Sequence, residues 1–389
     1  MNLKELRQTI LGFRLETVHR YTGIPLDRLE RIENGEAPDI AEIESMALVY
    51  GISPEVLAED PIRVLPQDGV HLLARNNEFQ EWNEHIRHGI VKIHNAAKDL
   101  ARLRSMVPAD GDRVRPGADL PPLPVINNNS PPWQQGRELA QAFRTYFCLG
   151  EEPLPSVRDL ALDVITVTLL YCKLGADGPA GLTFANSQEG AVLALNMDGK
   201  NTNPTARRVS LAHELCHYWI DWRRPDPLAT LSGYLSDRKK EIEQRANAFA
   251  IRLLCPESVV QRHLDKSNDA EKTAEYLIKE FGLPYSAARN YLSHTCGRTI
   301  PVRPVPGLRV GIDQCWQDCE APAGVADFPL PEVSVERRTF VARHAAYLYA
   351  ERHIQRDFFA EMLGVPPSAA LEMVLDFFDT DPPMLPDHA

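Results

Sequence analysis

The stretch Ser210-Leu211-Ala212-His213-Glu214-Leu215-Cys216-His217 places two histidines four positions apart. On an α-helix, side chains at i and i+4 lie on one face, so both imidazoles can bind one Zn²⁺ ion without adjustment of the backbone. Glu214 points away from that face and can take a proton from a water molecule on the open side. The stretch predicts a zinc-dependent peptidase with His213 and His217 as ligands and Glu214 as general base.

A catalytic zinc ion usually has three protein ligands and one open position. A third histidine at the spacing H-x-x-G-x-x-H is missing, because Ile220 stands where that pattern needs glycine. We expect a carboxylate from a following helix, with Glu243 as the choice and Glu241 as the alternative. Asn247, one turn after Glu243, is expected to hydrogen-bond a ligating imidazole. Asp221 is predicted to be such a partner or a surface residue, not a ligand.

The surrounding sequence predicts an α+β domain at residues 133–300. Helical periodicity and an apolar side indicate a buried helix over 204–222 and another helix over 237–254. Two short strands at 180–184 and 190–196 have the pattern of a hairpin. The remaining predictions are helices at 135–147, 157–162 and 335–376, a strand at 164–170 and a helical pair within 272–294.

Composition limits the classes of protein that this chain can represent. Its formal net charge is −12 and its pI is about 5.5, so a general nucleic-acid coat protein is disfavoured. Seven cysteines are an odd number and do not make a disulfide framework. The first residues lack the apolar segment of a secretory signal, and the longest apolar stretch is far shorter than the ~18 residues of a membrane helix. We therefore expect a cytoplasmic protein with no membrane partner.

Residues 1–60 are predicted to form a helix-turn-helix unit, because helical periodicity is interrupted at Gly23 and again before Gly35. The exposed start of the second helix carries Leu26, Asp27 and Glu30, whereas side chains that contact bases are usually basic or amides. The segment holds 6 basic and 12 acidic residues, a net charge of −6. Sequence-specific DNA binding, dimerisation and docking of a similar repressor all remain open.

Residues 61–106 are predicted to be a long helix or connector. Within it, Phe79, Ile86, Ile93 and Leu100 recur every seven positions, which fits either a helix packed on its own domain or a homodimer through residues 79–103. The proline-rich segment 107–132 is predicted to be a linker. Residues 301–389 are predicted to be a C-terminal helical region whose role the sequence does not indicate.

Two stretches together resemble the ImmA/IrrE family of zinc metallo-endopeptidases. The first is the histidine stretch, and the second is Glu243-Gln244-Arg245-Ala246-Asn247-Ala248-Phe249-Ala250-Ile251-Arg252-Leu253-Leu254-Cys255-Pro256. Shorter similarities lie at 135–140 and 276–284, so the resemblance covers roughly residues 133–295. It implies that His213, His217 and Glu243 bind Zn²⁺ and that Glu214 is the general base.

The resemblance also implies a substrate class. Members of the family typically cut a small helix-turn-helix repressor and so switch on genes for stress response, mobile elements or phage defence. Residues 3–57 resemble the XRE (Cro/cI-like) DNA-binding domain, which frequently accompanies this peptidase. Two further hypotheses stay open: a transcription regulator whose zincin domain is a sensor or interaction module, and an antitoxin-like binding protein that forms a complex without cleavage.

Cysteines and basic residues give weaker hypotheses. One hypothesis is that Cys315 and Cys319 form a second zinc site with Cys296 and His294. The alternative is that these cysteines pack as small apolar side chains, as buried cysteines usually do. Another hypothesis is that a thiol occupies the fourth position of the catalytic ion, with Cys148, Cys172, Cys216 and Cys255 as candidates. Basic residues cluster near the peptidase helices and indicate either solvated helix faces or a site for nucleic acid or an acidic effector: Arg207, Arg208, Arg223, Arg224, Arg238, Lys239, Lys240, Arg245 and Arg252.

Overall fold

The computed structural model describes residues 3–59, 79, 82–107, 120–127, 129–186, 190–221, 230–232, 240–297, 314–322 and 324–378. The first helices are α1 (Leu3–Glu5, continued by a π-helical turn over Leu6–Ile10), α2 (Leu15–Thr22), α3 (Leu26–Glu33), α4 (Ile40–Tyr50), α5 (Pro54–Glu59) and α6 (Glu84–Met106). No helix in these described ranges is long and apolar enough to cross a membrane.

The central part of the chain combines helices with a sheet. Its elements are α7 (Pro132–Tyr146), α8 (Val157–Asp159, continued by a π-helical turn over Leu160–Val164), β1 (Thr168–Cys172), β2 (Gly181–Asn186), β3 (Gly190–Asn196), a 3₁₀ turn (Gly199–Thr202), α9 (Pro204–Cys216, continued by a π-helical turn over His217–Asp221), β4 (Thr230–Ser232) and α10 (Lys240–Leu254). The last elements are α11 (Glu257–Ser267), α12 (Ala270–Phe281), α13 (Tyr285–Thr295), α14 (Gln314–Cys319), a 3₁₀ turn (Val335–Arg337), α15 (Phe340–Ala350), α16 (Arg356–Leu363) and α17 (Glu372–Phe377).

The N-terminal helices enclose their own small core. α2 ends at Gly23, whose φ of 75° is a left-handed conformation that glycine adopts readily. The Asp39 side chain caps α4 in a capping box with Glu42, which satisfies amides at the start of that helix. The core residues include Leu6, Phe13, Val18, Leu29, Ile32, Met46 and Tyr50. A helix, a glycine turn and a second helix follow one another as expected, whereas use of this unit on DNA stays a prediction.

The seven-residue pattern of α6 lies inside the chain. Its apolar side chains are buried in a core with the sheet and the C-terminal helices: Phe79, Trp82, Ile86, Ile93, Ala96, Leu100 and Leu103. A Cβ on Gly89 would lie 2.4 Å from Leu174 Cδ2, so the bare backbone there allows close packing. This arrangement agrees with a helix packed on its own domain. A homodimer through residues 79–103 stays a prediction, and it would require these side chains to leave their present contacts.

The sheet has the strand order β1-β3-β2-β4. β3 pairs parallel with β1 and antiparallel with β2, and β2 pairs antiparallel with β4. The predicted hairpin is confirmed as β2 and β3, with Leu182 opposite Ala194. The described part of the chain is thus mostly helical with a small sheet, which agrees with the predicted α+β class.

Two hydrophobic layers cover the two faces of the sheet. Leu169 of β1 and Leu193 of β3 point into a core with α7, α9, α10 and α12. Leu170 and Val192, the neighbouring residues on each strand, point into the other core with α6, α15 and α16. Because side chains alternate along a strand, the sheet requires both layers. The predicted division at residues 60, 106, 132 and 300 stays a prediction, although α6 and the C-terminal helices share one core with the sheet.

Three local expectations differ from the structure. The strand predicted at 164–170 begins only at Thr168, because Thr166 adopts a φ of 57° that turns the chain before the strand can start. Helix α11 after Pro256 was not predicted from the sequence. The end of the predicted linker is packed, since the Trp219 indole donates a hydrogen bond of 2.9 Å to the Pro121 carbonyl. Residues 108–119 of that linker and the segments 298–313 and 379–389 lie outside the described residues.

Burial keeps several histidines neutral in the helices that cover the second face of the sheet, among them His94, His344 and His88, whose pKa falls to about 4. Burial lowers the pKa of His94 in α6 from 6.5 to about 3, and that of His344 in α15 from 6.5 to about 4. Between pH 6.5 and these values the unfolded chain binds protons that the folded chain does not. We therefore expect the free energy of unfolding to fall as the pH decreases below 6.5, by about 1.4 kcal/mol per pH unit for each histidine.

Urea unfolding above and within that pH window tests this expectation. His344→Gln removes one titrating group, so its free energy of unfolding should depend less steeply on pH than that of the unchanged protein. His353→Gln is the matched control, because His353 is exposed on the loop after α15. Equal slopes for His344→Gln and the unchanged protein would contradict the assignment.

Candidate metal centre

Two helices bring the predicted ligands together. α9 begins with Pro204, and the Asn203 side chain accepts a hydrogen bond from the Thr205 amide, so its start is well defined. The helix is buried from Ser210 to its end, between the sheet and α10. Glu243 lies in the first turn of α10, which packs along α9.

The ligand atoms converge on one point. The Nε2 atoms of His213 and His217 are 3.0 Å apart. Glu243 Oε2 lies 3.1 Å from His213 Nε2, and Glu243 Oε1 lies 3.5 Å from His217 Nε2. Ligands bound tetrahedrally at about 2.05 Å are about 3.3 Å from each other, so the three side chains fit one metal ion. Within the described ranges, they form the one group of three or more potential ligands.

Each imidazole is oriented through its other nitrogen. His213 Nδ1 lies 3.0 Å from Asn247 Oδ1, the contact expected from the sequence. His217 Nδ1 lies 2.8 Å from Asp221 Oδ2, and the other oxygen of Asp221 accepts a hydrogen bond from Arg245. Because both oxygens are acceptors, each Nδ1 donates its proton outward, which leaves the Nε2 atoms facing the common centre, where a proton or a metal ion can bind. Asp221 is only 1% exposed, so it is a buried partner of the histidine and not a surface residue.

The electrostatics of the group favour a cation. Burial acts to lower the pKa of His217, but its hydrogen bonds with Asp221 and Glu243 outweigh burial and raise that pKa to about 10. Burial acts in the opposite sense on Glu243, but the two imidazoles hold the pKa of its carboxyl well below the usual value. Glu243 is therefore ionised at neutral pH. A buried carboxylate that attracts a proton to the neighbouring imidazole attracts a metal ion in its place.

The Glu214 side chain packs against Gly181 and Thr183 of β2. The Thr183 hydroxyl donates a hydrogen bond of 2.6 Å to Glu214 Oε2. Glu214 Oε1 is buried and has no hydrogen-bond partner among the described residues, which leaves it for a water molecule or a substrate. A Cβ on Gly181 would lie 2.4 Å from this oxygen, so any larger residue at this position would displace the Glu214 carboxylate. The strand thus fixes one carboxylate oxygen and leaves the other free to accept a proton.

Replacing Thr183 tests whether its hydroxyl positions the Glu214 carboxylate. Thr183→Val keeps the shape of the side chain and removes the donor to Glu214. Since a hydrogen bond to a charged group contributes about 1.5–3 kcal/mol, we expect the turnover rate to fall roughly 10- to 100-fold. Thr183→Ser keeps the hydroxyl and should keep most of the rate. Turnover and metal content are measured together, and equal rates for the Val and Ser variants would contradict the assigned role.

Replacing Asp221 tests whether this carboxylate orients His217 for metal binding. Asp221→Asn keeps the size of the side chain but removes the charge between His217 and Arg245. We expect the affinity for zinc to fall about 10- to 100-fold, measured by competition with a chelator of known affinity. Asp265→Asn is the control, because Asp265 is exposed on α11. The proposed support fails if both variants bind zinc as the unchanged protein does.

The other residues singled out from the sequence lie elsewhere. Glu241 is exposed and does not belong to the metal group. Among the described residues, no cysteine joins a group of three potential ligands, so neither the second zinc site nor a thiol on the catalytic ion is supported. Burial raises the pKa of the thiols of Cys172, Cys216 and Cys255, which keeps them protonated.

The described arginines of the basic cluster mostly have structural roles. Arg207 donates a hydrogen bond to the Glu320 carbonyl oxygen, and Arg208 donates one to the Glu320 carboxylate. Arg245 forms an ion pair with Asp221. Arg252 lines a cavity away from the ligands. Residues 223, 224, 238 and 239 lie outside the described residues, as does the side chain of Lys240.

Sequence reasoning missed Thr183, Gly181 and Arg245 as parts of the site. Gly181 and Thr183 are separated from Glu214 by more than thirty positions, and no local pattern links a strand residue to a helix carboxylate. Arg245 is one of the basic residues that cluster near the peptidase helices, but no pattern in the sequence links it to Asp221. Its contact with Asp221 depends on how α10 packs on α9.

Comparison with known proteins agrees with this geometry. Residues 163–293 match the family model Peptidase_M78, described as the IrrE N-terminal-like domain. The match spans the sheet, α9 and α10, and therefore all the residues of the metal group. No curated protein matches the chain. This part of the chain is thus similar to metallopeptidases of the ImmA/IrrE kind.

Proposed function

We propose that this chain is a zinc endopeptidase that cleaves one specific protein, a helix-turn-helix repressor of the XRE type. Cleavage would switch on a stress, mobile-element or phage-defence response. The observation that carries the proposal is the convergence of two imidazoles and one carboxylate beside a buried Glu214 oxygen without a described partner. Two histidines and a glutamate are a ligand set of catalytic zinc sites.

The mechanism follows from the residues around the group. Zinc bound by His213, His217 and Glu243 would supply Lewis acidity toward the attacking water and the scissile carbonyl. Glu214 takes the proton of that water through Oε1 and later delivers it to the leaving amine. Thr183 holds the opposite oxygen, so the carboxylate does not rotate between the two proton transfers.

The N-terminal helices support docking of a protein more than reading of DNA. Arg28 of α3 pairs with Glu42 at 2.8 Å and also with Glu36. Arg31 pairs with Asp27 at 2.9 Å and with Glu36 at 3.1 Å. Both described arginines of α3 are thus neutralised within the unit, whose net charge is already negative. We propose that this unit binds the repressor by its similar fold, and that DNA binding is secondary.

The test is cleavage of a defined protein. Purified protein loaded with zinc is incubated with the repressor encoded by the adjacent gene and, in parallel, with a peptide library prepared from the proteome of the source organism. Cut bonds are found by mass spectrometry of new N-termini. Cleavage at one bond that stops with a chelator and returns with zinc supports the proposal. A stable stoichiometric complex in which the repressor stays intact would contradict it and favour a binding protein.

A further inference from the structure

A cavity lies on the side of α10 at its C-terminal end, away from Glu243. Its volume is about 580 Å³, which is within the range of pockets that hold small molecules. The wall is made by α7, the loop after α7, the last turn of α10 and the start of α11. Its charged lining residues are Arg137, Arg144, Glu151, Arg252 and Glu257.

Positive charge exceeds negative charge in this wall. Glu151 is neutralised by Arg262, at 2.7 Å, and also accepts a hydrogen bond from Ser258. Arg137 and Arg252 share one oxygen of Glu257, at 3.7 and 3.6 Å, and both distances are longer than a hydrogen bond. The Nε atom of Arg252 is buried without a hydrogen-bond partner among the described residues. Both guanidinium groups also lie over aromatic rings, Arg137 over Trp133 and Arg252 over Tyr291, so Glu257 is the one carboxylate with which either forms an ion pair among the described residues.

Arg144 adds a third cation behind the other two. It is 5% exposed and donates hydrogen bonds to backbone carbonyls, among them those of Gly150 at 2.9 Å and Glu152 at 2.7 Å. No carboxylate of the described chain forms an ion pair with it. Its hydrogen bonds go to carbonyl dipoles and its nearest negative charge is the more distant Glu151, so Arg144 raises the electrostatic potential of the cavity wall.

The start of α11, like the arginines, carries positive charge, in this case the partial positive charge of a helix N-terminus. No side chain caps this helix at Pro256, and the first amides of an α-helix have no acceptor within the helix. These amides and the helix dipole favour an anion at the end where Pro256, Glu257 and Ser258 line the cavity. Donors therefore approach the cavity from α7, α10 and α11. A tetrahedral anion can accept from several directions at once, whereas a planar carboxylate is matched by one guanidinium fork.

We propose that this cavity binds a small organic phosphate, with the phosphate group between Arg137, Arg252 and the start of α11. The remaining volume holds the uncharged part of the ligand. Such a ligand would bridge α7 and α10, which already pack closely, since a Cβ on Gly136 would lie 2.2 Å from the Arg245 carbonyl oxygen. The site is separate from the metal group, and the proposal does not depend on peptidase activity.

Cys148 provides a direct probe of occupancy. It is an exposed free cysteine of the cavity wall, so a bound ligand should slow its alkylation by a maleimide. The experiment uses the full chain with Cys315→Ser, because Cys315 is also exposed. Glycerol phosphate and inorganic phosphate are titrated at constant ionic strength, with succinate as the planar carboxylate and glycerol as the uncharged control. Alkylation at Cys148 is followed by peptide mapping.

We expect saturable protection of Cys148 by glycerol phosphate, weaker protection by inorganic phosphate and none by glycerol. Arg137→Gln and Arg252→Gln should each raise the concentration of glycerol phosphate that half-protects Cys148 by about tenfold or more, because each removes a charge-assisted contact. Arg289→Gln, on the exposed side of α13, should leave it unchanged. Absence of saturable protection by either phosphate, stronger protection by succinate, or unchanged protection in both cavity variants would overturn the proposal.

Discussion

We expect Glu214→Gln to abolish peptide hydrolysis and to leave the metal bound. A general acid–base residue contributes about 10²- to 10⁴-fold to the rate, and we expect a loss near the upper end because Glu214 serves in two proton transfers. The amide of glutamine has nearly the same shape and can still accept from the Thr183 hydroxyl, which is 2.6 Å from the carboxylate. The substitution therefore changes proton transfer and not the architecture. The assay is cleavage of the repressor or of the peptide library, with bound zinc measured in the same samples.

Glu241→Gln is the matched control for this experiment. It makes the same chemical change on the exposed surface of α10, two residues from a predicted ligand, and should leave the rate unchanged. Should Glu214→Gln retain the full rate with zinc bound, the zincin mechanism for this chain is wrong. Should both variants lose activity together with zinc, the effect is structural and the role of Glu214 as base is unsupported.

The second large effect concerns stability, at the ion pair between Arg208 of α9 and Glu320 after α14. Their side chains are 0% and 1% exposed, with a separation of 2.8 Å. Glu320 also accepts hydrogen bonds from the amides of Val157 and Arg158. Burial raises the pKa of Glu320 and lowers that of Arg208, so loss of hydration outweighs attraction in both groups. Such a pair adds little net stability, but removal of one member leaves the other charge buried.

We expect Glu320→Gln to lower the free energy of unfolding by about 3–5 kcal/mol, because the charge of Arg208 is then buried without its partner. Urea unfolding at neutral pH measures the change. The exposed pair of Arg102 and Glu361, 3.5 Å apart with side chains 52% and 60% exposed, provides the control. Glu361→Gln should cost no more than about 1 kcal/mol. Equal losses at the two positions would show that burial of the Arg208 pair has no particular cost.

A double variant separates the ion pair from other contacts of Glu320. Arg208→Met combined with Glu320→Gln removes both charges and leaves an amide for the two backbone donors. We expect it to be more stable than Glu320→Gln alone, since no charge remains buried without a partner. A double variant less stable than either single variant would show that the contacts of Arg208 with backbone carbonyls dominate.

Much of the fold was predictable where the pattern is local. Helical spacing identified α9, α10, α12 and α13, and the two short apolar runs at 180–184 and 190–196 do form a hairpin. The length of β1 was not predictable in the same way. Its β-branched lead-in has strand propensity, but the turn at Thr166 and the helical turn before it exclude those residues from the sheet.

The sequence could not predict what covers the second face of the sheet. The seven-residue pattern of α6 is equally suited to a partner chain and to its own sheet, because apolar side chains carry no information about which surface buries them. The structure buries Ile93 and Leu100 among residues of the sheet and of α15. The C-terminal helices, for which the sequence indicated no role, supply much of that layer.

Helical periodicity alone places His213 and His217 on one helix face with Glu214 beside it, because it relates residues three and four apart without reference to the rest of the chain. It also puts Asp221 one turn after His217, but the burial of Asp221 depends on the rest of the fold. The approach of Glu243 instead of Glu241, and the contacts of Thr183 and Gly181 with the base, join segments far apart in the chain. They depend on how α9 packs between the sheet and α10, which no local spacing determines.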